Sequence, residues 1–395
     1  MLEDSPRPPR VLTPYCAPAG RHETYKEWEY VVALLPADLE RSAVEHGAIV
    51  RRRRVTSASA LLRLALGYAV CDWPLRTAAA LSESIGLGPM SDVAVLKRLR
   101  RCGPWLGWLT GQWFVGHGLT TSLPPRRLRL VDASTVSRPG STGADWRLHA
   151  SYDVGGGRFD EWELTTGAGG ESLARFHGRP GDVLVADRGY AHPRVLGDVA
   201  ARGIEFVVRF PWSNLHLLSS DGQPLDLLAF LHGLPEATAV AQPVYLDLED
   251  RAVRTRVVAV RKSVAATESA HRRILHEARR KGKEPDPRTL EAAAYVFVLT
   301  TLPSTISASQ VLEVYRARWQ IEIAFKRLKS VLQFDALRAR DPALAQTYLY
   351  GKLLGCLLVD DLTHRAKAFS PWGYPLPSEQ SLQYLAGQRD LAAEP

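Results

Sequence analysis

Cysteine is scarce in this chain, and its few examples stand apart. Cys16, Cys71, Cys102 and Cys356 are the full set, with no paired spacing that suggests a zinc site or a disulfide framework. Long apolar runs are missing too. The stretch Leu353–Val359 falls well short of the roughly 20 residues a membrane helix needs. The opening residues MLEDSPRPPR lack the apolar core of a signal peptide. A soluble, cytoplasmic protein with no membrane partner is the expectation. Internal repeats and extended low-complexity segments are absent. So are a Gly-x-Ser-x-Gly elbow, a P-loop and a His-Glu-x-x-His run, which sets aside several common hydrolase, nucleotide-binding and zinc-protease readings.

What remains is length and positive charge. The 395 residues suffice for two or three domains and a sizeable core. The net charge of +8, carried mostly by arginine, suits an anionic partner but singles out none. Clusters at Arg51–Arg54, Arg98–Arg101 and Arg272–Lys283 sharpen that reading toward nucleic acid.

In chain order, residues 1–22 read as a loose, Pro-rich arm. Residues 23–122 read as a helical, DNA-contacting domain. Its candidate helices are Ala37–Glu45, Ser57–Val70, Leu75–Ile85, Asp92–Arg101 and Trp105–Phe114, with a break at Gly103–Pro104. The pair from Leu75 to Arg101 fits a helix-turn-helix, with Lys97, Arg98, Arg100 and Arg101 reaching phosphate. An ordinary bundle with a basic face fits equally. Pro124–Pro125 mark a boundary. Residues 123–210 then give three strands, a short helix at Glu171–His177, the strand DVLVAD, a helix from His192 to Ala201, and a strand from Ile204 to Phe210. That is the order of a ribonuclease H-like core, an α/β mixed sheet with flanking helices. Residues 211–292 read as a β-strand-rich insertion. Residues 293–332 supply the last strand and a closing helix over Ile306–Ser330. Residues 333–395 read as C-terminal helices and a tail.

The closing helix carries a pattern. Tyr315, Arg318, Glu322, Lys326 and Lys329 are spaced three, four, four and three apart, which gathers them within roughly 80° of one helix face. Val314, Ile321, Ala324, Phe325 and Leu328 form a separate apolar face. Trp319 edges the polar stripe. A solvated amphipathic helix is the plain reading. The sharper one is a phosphodiester site, in which the carboxylate holds metal, the cations hold phosphate and the indole stacks on an unpaired base. Asp132 and Asp187 each end an apolar strand, where polar groups gather without being buried unpaired. If Glu322 reaches the same edge, three carboxylates converge, and two Mg²⁺ or Mn²⁺ ions are their natural occupants. Taken singly, either Asp also reads as a turn or cap residue. His149, Tyr152 and Asp153 fall on a neighbouring strand as possible support, with a structural role the plainer reading of His149. Asp145, Asp153 and Glu163 compete for the metal role.

The spacing Tyr315-x2-Arg318-x3-Glu322-x6-Lys329, with VDASTV around Asp132 and ADRGY around Asp187, resembles the signature of DDE transposases of the insertion-sequence "four" family. The resemblance spans about 90–370. It implies that Asp132, Asp187 and Glu322 are both catalytic and metal-binding, with two Mg²⁺ ions for which Mn²⁺ substitutes. It also implies DNA contacts by Tyr315, Arg318, Trp319, Lys326 and Lys329. The implied activity is excision of a mobile element and its joining to target DNA. The implied partners are double-stranded transposon ends, target DNA and a second copy of the chain in the synaptic complex. The implied setting is the bacterial cytoplasm at the nucleoid. The tail after 370 is shorter than the dimerising region of well-known relatives. A nuclease that cuts without joining, and a domesticated DNA-binding protein, are the rival readings.

Overall fold

The computed structural model describes residues 28–51, 55, 57–116, 126–138 and 140–368. The predicted arm, Arg52–Arg54, Pro124–Pro125 and the tail from Ser370 lie outside them. The N-terminal third is helical: α1 (28–33), α2 (Leu39–Glu45), α3 (Ala58–Ala69), α4 (Leu75–Leu81) and α5 (Asp92–Gly116). Ser57 caps α3 by accepting from the Ala60 amide, leaving one fewer unpaired donor in the first turn. The predicted break at Gly103–Pro104 is absent, and α5 runs straight through Pro104. An interior proline costs a helix about 3 kcal/mol. Here tertiary packing offsets that cost. The Thr347 hydroxyl donates to the Leu99 carbonyl at 2.5 Å, beside the gap in the hydrogen-bond ladder.

The rest of the chain builds one sheet. Its strands are β1 (Arg127–Val136), β2 (Trp146–Asp153), β3 (Arg158–Thr166), β4 (Asp182–Ala186), β5 (Glu205–Arg209), β6 (Leu217–Leu218), β7 (Val240–Asp247), β8 (Ala252–Arg261) and β9 (Tyr295–Thr300). They lie in the order β3-β2-β1-β4-β5-β9-β8-β7-β6. The β1–β4 and β4–β5 pairs are parallel and all others antiparallel. This is the ribonuclease H-like mixed sheet that the strand order predicts. The strands of segment 211–292 continue that sheet through β8 against β9. The expected helix at Glu171–His177 is only a 3₁₀ turn, Leu173–Arg175.

Both faces of the sheet are covered, as apolar runs in parallel strands require. Val183, Val185 and Val207 face one core; Leu184, Ala186, Phe206 and Val208 face the other. The first core also takes in the N-terminal helices, α10 (Ala308–Arg316), α11 (Trp319–Leu332) and α12 (Pro342–Ala368). The second takes α6 (Pro193–Ala201) and α7 (Leu227–His232). Helices α8 (Val264–Arg280) and α9 (Pro287–Ala293) lie between β8 and β9 in the chain.

The closing helix departs from expectation, because it is two helices. After Arg316 the chain tightens: the amides of Arg318, Gln320 and Ile321 bond the carbonyls three residues back, a 3₁₀ turn rather than an α-turn. A Ser307–Gln310 capping box starts α10. Ile321, Phe325 and Leu328 of the predicted apolar face are buried.

Candidate active site

Three elements deliver the predicted acids. Asp132 lies on β1, paired with Ala150 of β2. Asp187 follows the last residue of β4 and precedes the short 3₁₀ turn Arg188–Tyr190. Glu322 is in the first turn of α11. Asp132 does not end its strand as the sequence suggests, because β1 runs on to Val136 against β2; the parallel register of Leu130 with Val185 still sets Asp132 level with Asp187.

Arg318 and Tyr315 tie the acids together. One Arg318 nitrogen is 2.6 Å from the Glu322 carboxylate and another is 3.7 Å from that of Asp132. The Tyr315 hydroxyl donates to Asp187 at 3.1 Å. The tightened turn at 317–318 therefore sets the arginine between two carboxylates that would otherwise repel each other. Among the described residues, no group of three His, Cys, Asp or Glu side chains stands ready to hold a metal ion.

The electrostatics differ between the aspartates. Burial pushes the Asp132 carboxyl up to about 6, with the charges of Glu171 and Glu322 adding to the effect; the Ala133 amide and Arg318 oppose it. Burial also pushes Asp187 up, but the Arg188 amide, Arg318, Arg209 and the Tyr315 hydroxyl outweigh it, so Asp187 ends below its ordinary range. Arg318 is raised despite burial, through Tyr315, Asp187 and Glu322. Asp132 is thus a carboxylate short of positive charge, and its donor chemistry, like that of its partners, fits a hard divalent cation.

The competitors are occupied elsewhere. Asp145 is paired with Arg138 at 2.7 Å, Glu163 with Arg175 at 2.8 Å, and Asp153 accepts from the Gly155 amide in the β2–β3 turn. His149 is fully buried against Thr165, and burial pushes it down to about 4. It is a neutral structural residue. Tyr152 packs edge-on against Phe159.

One acid escaped the sequence reading. Glu171 lies 3.9 Å from Arg147, and its carboxylate rests on Gly189, where a Cβ would come within 1.8 Å of Oε2. Its charge bears on Asp132 and on the buried Tyr190. No spacing signals this, because a loop acid gains its neighbours only in the folded chain. On the outer side of α11, Trp319 is 54% exposed, with the Lys326 ammonium 5.4 Å from its ring centre. Lys326 is exposed and Lys329 half-buried. Both are three or four residues past Glu322 or the residue above it on the same helix.

Comparison with known proteins finds a matching family and several relatives. Residues 123–358 match the family described as Transposase DDE domain. The chain is 37% identical over 358 residues to the putative transposase InsL of insertion sequence element IS186A from Escherichia coli K12, covering 88% of this chain and 97% of that protein. It is also 37% identical over 359 residues to the transposase of IS421 from Escherichia coli, with the same coverage. The transposase of IS231F from Bacillus thuringiensis subsp. israelensis is 25% identical over 268 residues, covering 59% and 56% of the two chains.

Proposed function

Since this chain belongs to the family of transposases with a DDE domain, we propose that Asp132, Asp187 and Glu322 are the acids that carry its DNA strand cleavage and transfer. The chain is a DNA transposase, and its family works with a divalent metal. The observation that carries the residue assignment is the Arg318–Glu322–Asp132 bridge together with the Tyr315–Asp187 bond. It joins side chains 190 residues apart (322 − 132) beside the paired strands β1 and β4.

The three carboxylates would hold two Mg²⁺ ions, with Mn²⁺ able to substitute. Bound there, such ions supply activation of the attacking oxygen and stabilisation of the leaving one in an in-line displacement. Arg318, set between Asp132 and Glu322, would present its planar fork to a phosphate beside the scissile bond. Tyr315 donates its one hydroxyl proton to Asp187 and so holds that carboxylate in orientation beside the same phosphate. Lys326 and Lys329 continue the phosphate contacts along α11. Trp319 stacks on a displaced base. Residues 23–122 serve as the DNA-contacting domain, and a homodimer forms the synaptic complex on paired ends.

Glu322→Gln tests the assignment. It should bind duplex DNA as wild type does, since the cations remain, yet lose metal-dependent cleavage. Full cleavage by this variant removes Glu322 from the site. Incubating wild type with pre-cut element ends and a plasmid separates a transposase from a nuclease, because only the former yields joined products.

A further inference from the structure

We propose that the cleft between the carboxyl ends of β4 and β5, the end of β8 and helix α8 is a second anion site, which holds a phosphodiester of DNA away from the bond being cut. The proposal rests on the transposase reading and names where the DNA runs as it leaves the acids.

Topology gathers the cations. Arg188 directly follows Asp187, and Arg209 ends β5. Those strands are parallel neighbours, Ala186 pairing with Val208, so both arginines leave the sheet at one edge. Lys262 follows β8, and its ammonium donates to the Ala293 carbonyl at 2.6 Å. Arg273 lies on α8. Beside them is a cleft of about 400 Å³ lined by Arg188, Trp212, Ser213, Lys281 and Lys283. Lys281 and Lys283 come from the basic run Arg272–Lys283, whose first member, Arg272, instead lies 3.8 Å from Glu268.

Asp187 faces Arg188 and Arg209, and Glu277 faces Arg273 and Lys281, so acids offset these cations only in part. Among the described residues no ion pair engages Arg188, Arg209, Lys262 or Arg273. Glu277 and Glu284 also line the cleft, but Glu277 is held by Lys281 at 2.6 Å. The crowding is felt: burial, then the charges of Arg209, Arg188 and Arg273, push Lys262 down to about 8. Like charges held together destabilise the fold until an anion joins them.

The chemistry points to backbone rather than base. Guanidinium forks match phosphate oxygens. Of the two large rings on the cleft, Phe297 is buried in the core, and Trp212 is already covered by Arg288 at 4.5 Å and bonded through its indole N–H to Thr289 at 3.1 Å, so neither offers a face to a base.

The test is the salt dependence of binding to a mixed-sequence duplex. Each lost phosphate contact shrinks the negative slope of log K against log salt by about 0.9 in magnitude. Lys283→Ala, at an exposed position lining the cleft, should shrink it by about that much, and Lys283→Arg should restore it. Arg251→Ala removes the same charge from the β7–β8 turn, where Arg251 is paired with Asp198 at 2.7 Å, and should leave the slope unchanged. An unchanged slope in Lys283→Ala, or an equal change in Arg251→Ala, overturns the cleft while the transposase reading stands. Wild-type protein that neither cuts nor joins DNA with a divalent metal overturns that reading instead.

Discussion

At the scale of single residues, the site is arranged around unequal treatment of like groups. Asp132 is buried with too little positive charge, and Asp187 has enough. Tyr315→Phe removes one hydrogen bond to a carboxylate, worth about 1.5 kcal/mol or more. Cleavage should fall about tenfold, with DNA affinity nearly unchanged by a filter or gel assay. His149 makes a separate prediction. It titrates near 4 when folded and near 6.5 when free, so the unfolded chain binds more protons between those values. Stability is complete above about pH 6.5 and falls as pH drops toward 4, by on the order of 3 kcal/mol. Urea unfolding of wild type should show this slope, and His149→Gln should show it reduced. A slope unaltered by the substitution would assign it to other groups. His149 was legible as a structural histidine from its place in an alternating strand. Glu171 was not legible, since its neighbours come from β1, β2 and the turn after β4.

At the scale of elements, the delivery of Glu322 depends on the loop between β9 and α10. Arg256 of β8 donates to the carbonyls of Leu302, Pro303 and Ile306 at 2.8–3.2 Å. Arg256→Met leaves three acceptors without their cation. It should destabilise the protein by roughly 3 kcal/mol and lower cleavage through misplacement of α11, measurable by thermal unfolding beside a cleavage assay. The part of the stripe from Arg318 to Lys329 was readable because helical spacing along α11 brings those residues to one side, whereas Tyr315 lies on α10. The split at 317–318 was not readable. No Gly or Pro marks it, and the tight turn is set by where Arg318 must reach.

At the scale of the whole molecule, the two ends of the described chain share a core. Helix α12 lies against α3 and α5 through glycines. A Cβ at Gly351 would come within 2.5 Å of that of Ala69, one at Gly355 within 2.6 Å of Val70, and one at Gly107 within 3.0 Å of Tyr350. Tyr348 donates to Asp72 at 2.7 Å, and the buried Lys352 bonds the Leu332 carbonyl. Gly351→Val should cost about 1–3 kcal/mol by overpacking, seen as a lower unfolding midpoint. A chain ended after Asp341 should lose the protection of its N-terminal helices in limited proteolysis. Equal protection in both chains would show that those helices fold unaided. Among the described residues no helix is long and apolar enough to cross a membrane.

Local pattern settled the elements of this protein. Alternation and apolar runs wrote the strands, and three-four spacing put Arg318, Glu322 and Lys329 on one side of a helix, because neighbours along a chain are held by covalent geometry. Long-range choices were left to the folded state. The union of α12 with the N-terminal helices, the addition of β6–β8 to the catalytic sheet, the unbroken helix through Pro104 and the seat of Glu171 beside Asp132 all depend on close packing between distant segments. No periodicity records such contacts, since their energy exists only once both partners are in place.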